Sequence, residues 1–112
     1  MEVKLHLKER IYLGNILPGE NSLVDYQLKK AIIEKVTITE EEKKEFDFVV
    51  REDGTGADWN GQKDFENGKI FNFTDAEAEY VMKGVQAASE GTHPDEYWLT
   101  ISLLYDKFKR KE

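Results

Sequence analysis

The chain has 112 residues, with 16 Lys and Arg against 23 Asp and Glu, no cysteine and a formal net charge of −7. A chain of this length buries over ~60% of its unfolded surface, so a core needs no staples. The absent cysteine excludes a disulfide framework, a thiolate nucleophile and a cysteine zinc site. The acidic balance repels a phosphate backbone, so nucleic acid is not an expected partner. The N-terminus lacks the apolar run of a secretory signal, and no stretch approaches the ~20 apolar residues of a membrane span. The expectation is a cytoplasmic protein with no membrane partner.

Val3, Leu5 and Leu7 alternate with Glu2, Lys4 and His6, which predicts a short strand or extended lead over 2–6. Ile11, Leu13, Ile16 and Leu17 fit a helical face, so a helix is expected over 8–17, ended by Pro18-Gly19. Asn21 or Ser22 can cap a second helix over 22–36, with Val24, Leu28, Ala31 and Ile32 as its buried stripe. Thr39 and Glu42 have the capping-box spacing and open a short helix over 40–45.

Phe46, Phe48 and Val50 then alternate, the signature of a strand with those residues facing inward. Asn60-Gly61 and Asn67-Gly68 both read as type I′ turns. The region 46–73 is therefore expected to be hairpin-like, with strands near 57–59 and 69–73 and room for a third at 62–66. Thr74 and Glu77 form a second capping box, opening a helix over 75–90 with Ala78, Val81, Val85 and Ala88 inward and Gly91 as the stop. Pro94 suits the start of a last helix over 94–109. Its main face is Tyr97, Ile101, Leu104, Tyr105 and Phe108, with Trp98 and Leu103 off that face on opposite sides. Lys107, Lys109, Arg110 and Lys111 complement the dipole of its last turn. The expected fold is α+β, one domain over 1–112, with four to five helices packed around a small antiparallel sheet of two or three strands.

No catalytic, cofactor or metal residue stands out. His6 and His93 are far apart and form no ligand pair; His6 reads as an exposed strand residue and His93 as an N-cap or loop residue. Asp53, Asp58 and Asp64 lie in a Gly-rich loop, but counted from Asp58 the sixth position, where a calcium loop needs Gly, is Lys63. Turn chemistry explains them better. Three large rings are the candidates for an interaction surface. Trp59 sits among polar turn residues, where it either anchors a partner or folds back under the hairpin. Tyr97 and Trp98 point about 100° apart, so one is expected in the core and the other partly exposed.

Several segments taken in order carry a resemblance: Leu7-Lys8-Glu9-Arg10-Ile11 through Leu17-Pro18-Gly19, then Thr39-Glu40-Glu41-Glu42, then Trp59. Ile70-Phe71-Asn72-Phe73-Thr74 and Ser102-Leu103-Leu104-Tyr105-Asp106-Lys107-Phe108 complete it. Together they resemble a family of small proteins encoded by bacteriophages and prophages, which favour a bulkier residue where this chain has Gly14. The resemblance implies a setting in bacterial cytoplasm and carries over no site residue, because the family has no assigned activity.

The leading expectation is a non-enzymatic interaction module for a phage or host protein. A second is an acidic inhibitor that mimics nucleic acid, because residues 40–66 hold 10 acids against 4 bases. A minimal metal-dependent hydrolase using Asp53, Asp58, Asp64 and His93 is a third. A second copy is the economical partner for the wide apolar surface of the last helix, with Trp98 as reporter. The net charge opposes that pairing, and the balance falls slightly against a homodimer.

Overall fold

The computed structural model describes residues 1–54 and 56–109. Its elements run β1 (Glu2–Leu5), α1 (Leu7–Ile16), α2 (Leu23–Val36), α3 (Glu40–Glu45), β2 (Val49–Val50), β3 (Ala57–Asp58), α4 (Gly61–Glu66), β4 (Lys69–Asn72), α5 (Asp75–Ser89) and α6 (Asp95–Phe108). Among the described residues, six helices and two separate two-stranded antiparallel sheets make an α+β fold.

β1 pairs with β4, Val3 opposite Phe71 and Leu5 opposite Lys69. The period of two puts Val3, Leu5 and Phe71 on the buried face of this ribbon. A ribbon of two strands is marginal alone, and here α1, α2, α5 and α6 supply the rest of one core: Leu13, Ile32, Val81, Val85, Ile101, Leu104 and Phe108 are all nearly inaccessible. Phe108 meets Phe73 edge-on, ring centroids 5.0 Å apart, and so ties the end of α6 to the segment that follows β4. Burying each such ring or branched side chain contributes roughly 1.5–3 kcal/mol.

Both capping boxes form. Thr39 Oγ1 accepts from the Glu42 N–H while Glu42 Oε1 accepts from the Thr39 N–H, and Thr74 and Glu77 do the same. Ser22 caps α2 through the Asp25 N–H.

The middle of the chain departs from expectation. No strand runs through 46–50. Phe46 is buried as the C-cap of α3, and Phe48 closes that helix by donating its N–H to the Lys43 carbonyl at 2.8 Å, around Asp47 at φ 54°. This is a Schellman closure, so the alternation of Phe46 and Phe48 reflects a helix end. Only Val49 and Val50 are extended, and Val50 is 64% exposed rather than inward.

Neither Asn-Gly pair makes a hairpin turn. Asn60, at φ −74°, caps α4 by accepting from the Lys63 N–H, and Asn67 ends the same helix. The short polar side chain that suits a type I′ turn suits an N-cap equally well. Residues 62–66 are thus helical, and β4 finds its partner at the far N-terminus instead of in a local hairpin. In α2 the inward stripe is Leu28, Ile32 and Val36, whereas Val24 and Ala31 are exposed. In α6 Thr100 is buried and Tyr105 is 45% exposed. Lys107 turns away from the helix end, onto the Lys4 carbonyl and the Glu9 carboxylate. Arg110 and Lys111 lie outside the described residues.

Candidate functional site

The three rings singled out above are all half-buried; Trp59 and Tyr97 line one cavity and Trp98 another. Trp59 stacks on Phe48 (6.0 Å, 19°). Tyr97 packs edge-on against Tyr12 at 5.0 Å, linking α6 to α1. Burial, with the neighbouring Tyr97 and Glu96 adding to it, pushes the Tyr12 phenol up to about 12. Trp98 lies over the core and meets His93 edge-on at 5.1 Å, and His93 Nε2 donates to the Ala88 carbonyl at 2.8 Å.

An exposed apolar surface lies elsewhere on α6, beside α4. Phe65 is 80% exposed, Leu99 69% and Leu103 50%. They border a cavity of about 520 Å³ whose wall includes Trp59 and the buried Thr100. Leu99 and Leu103 are one helical turn apart, on the side of α6 away from Ile101, Leu104 and Phe108. Leu103 was legible as an off-face residue. Leu99, four positions before it, is the missed signal that makes a second stripe, and Phe65 was hidden by reading 62–66 as a strand.

Beneath this surface lies a buried polar network that the sequence reading missed. Glu9, 3% exposed, accepts from the His6 N–H and from His6 Nδ1 at 2.8 Å. Lys107 Nζ stands 2.8 Å from its Oε1 and 2.6 Å from its Oε2. Oε2 has no hydrogen bond of good geometry, so the ammonium charge is what compensates it. His6 Nε2 donates to the Phe65 carbonyl at 3.1 Å, and the two rings stack 6.1 Å apart. Asp64, also buried, accepts from the Leu7 N–H at 2.7 Å. Glu9 and Asp64 therefore fix the start of α1 against α4 and α6, and their known partners are structural.

Asp58 is paired with Arg51 through both carboxylate oxygens, and the guanidinium holds that carboxyl below its usual range. Among the described residues no group of three or more His, Asp or Glu side chains is placed to hold a metal ion. Among the described residues no helix is long and apolar enough to cross a membrane. Compared with protein-family models, curated proteins and solved structures, the chain matches none.

Proposed function

We propose that this protein is a non-enzymatic binding module and that the α4–α6 face receives a protein partner. The observation that carries this reading is the set of exposed Phe65, Leu99 and Leu103 around one cavity. Large apolar side chains scattered singly need no explanation, whereas a contiguous group beside a concavity marks an interaction surface. The setting we propose, a phage-type protein in bacterial cytoplasm, rests on the sequence resemblance alone.

Nucleic-acid mimicry has weaker support. Of the acids in 40–66, Glu40, Glu42 and Asp58 are ion-paired within the chain and Asp64 is buried. A basic groove on an enzyme would find fewer open carboxylates there than the composition suggests. Of the hydrolase candidates, Asp58 and Asp64 border one cavity but are engaged by Arg51 and by the Leu7 N–H, and His93 lies beyond the end of α5.

The test is co-expression in a bacterial host of the tagged wild type and of a Leu99→Ser/Leu103→Ser variant. Both substitutions are on exposed positions, so the fold is kept. A partner captured stoichiometrically by the wild type and lost from the variant supports the proposal. A wild type recovered alone, or a partner retained by the variant, contradicts it.

A further inference from the structure

We infer that the α4–α6 groove takes a cationic amphipathic helix of a partner protein. This deepens the binding-module reading, rests on it, and adds the chemistry of the partner. The floor is a one-turn ridge, Leu99 and Leu103, with Phe65 across from it and Trp59 at one end. Past Trp59, Ala57 and Lys8 the trough continues into a second cavity of about 620 Å³ that reaches Tyr12 and Tyr97. An apolar ridge spaced i, i+4 is what an incoming helix packs its own ridge against.

The frame around that floor is acidic. Asp95 and Glu96 stand one turn before Leu99, and Glu66 follows Phe65; all three are exposed, whereas Asp106, one turn after Leu103, is paired with Lys109 at 3.7 Å. On the cationic side the two cavities hold Lys8 and Arg51, and Arg51 is engaged by Asp58. A partner with apolar anchors and flanking Lys or Arg thus meets opposite charge at the Asp95–Glu96 end of the ridge and beside Phe65. A second copy is opposed instead by the net charge of −7 that each chain carries.

Fluorescence anisotropy with a labelled Leu/Lys amphipathic peptide of about four turns tests this, beside its Leu/Glu counterpart. The proteins are the wild type, Leu99→Ser/Leu103→Ser, and Asp95→Asn/Glu96→Gln/Asp106→Asn, each first shown to melt cooperatively. The wild type is expected to bind the Leu/Lys peptide at least tenfold more tightly than the Leu/Glu peptide. The serine variant should lose at least tenfold in affinity, and the charge-neutralised variant severalfold. Undiminished binding by the serine variant overturns the groove as the site. Equal binding of the two peptides overturns the cationic partner and leaves the module reading standing. If neither peptide binds, the cationic helix is overturned, and the co-expression result decides separately whether the module reading survives. A wild type that sediments as a dimer, dissociated by the two serines, makes a second copy the occupant and overturns the inference as well.

Discussion

Arg10 is the residue on which most of the N-terminal half converges. Its guanidinium donates to the Val36 and Thr37 carbonyls at the end of α2 and to both oxygens of Glu42, at 2.6 and 2.9 Å, and lies over the Phe71 ring. Five donors in a planar fork suit this set of acceptors, which a lysine cannot span. Arg10→Lys should therefore destabilise, and Arg10→Ala should cost about 3–5 kcal/mol by leaving Glu42 and two carbonyls without their partner. Urea unfolding of the two variants checks this.

The same pair sets an acid response. Hydrogen bonding from Arg10, outweighing the cost of burial, holds the Glu42 carboxyl at about 2, against its ordinary 4.5. A folded-state value below the unfolded one means that the stabilisation is fully present above the unfolded value. It is lost as pH falls through the window from 4.5 to about 2. Urea midpoints should drop across that window in the wild type and drop less in Arg10→Met, where Glu42 has lost its cation. Equal slopes in the two proteins would contradict this assignment. None of it was legible in Lys8-Glu9-Arg10, which looks like a wet surface, because burial of a charge depends on partners remote in sequence.

At the scale of elements, the helix starts were readable because a cap is a local pattern: Ser22, Thr39 and Thr74 each accept from an N–H three residues on. The helix end at Asp47 was not readable, since two phenylalanines around it mimic a strand. Asp47 holds a left-handed φ of 54°, so Asp47→Gly should stabilise by up to ~1 kcal/mol, seen as a raised melting temperature. The Asn-Gly turns failed for a related reason: Asn60 serves turn and cap alike, and what decides is whether β4 pairs locally or with β1. Residues near 60 cannot reveal a partner at the N-terminus.

Two helical glycines separate the same way. A Cβ at Gly14 would meet no atom within 4 Å, whereas one at Gly84 would sit 2.8 Å from the Ile16 carbonyl oxygen, where α5 crosses the end of α1. Gly14→Ala should raise stability by about 0.5–1 kcal/mol through helix propensity. Gly84→Ala should lower it by roughly 1–3 kcal/mol because backbone must move. Thermal melts of the pair give both signs at once.

For the molecule as a whole, the sequence conveyed the α+β class and every long helix. The face on which function is proposed came through only in part. Leu103 was visible as one residue too many for a single stripe, yet Leu99 and Phe65 become a surface only when α4 is helical and lies beside α6. Trp98, the residue that looked most available on α6, is instead spent on His93 and the core. The central claim is therefore a claim about place. Backbone amide shifts in a ¹⁵N-labelled sample, followed during titration with the Leu/Lys peptide, test it most directly. The account predicts perturbations confined to the walls of the two cavities, 8–15, 48–51, 56–66 and 95–106 with the Trp59 indole. Shifts centred on Trp98 and His93, or spread along the acidic segment 40–47, would contradict it.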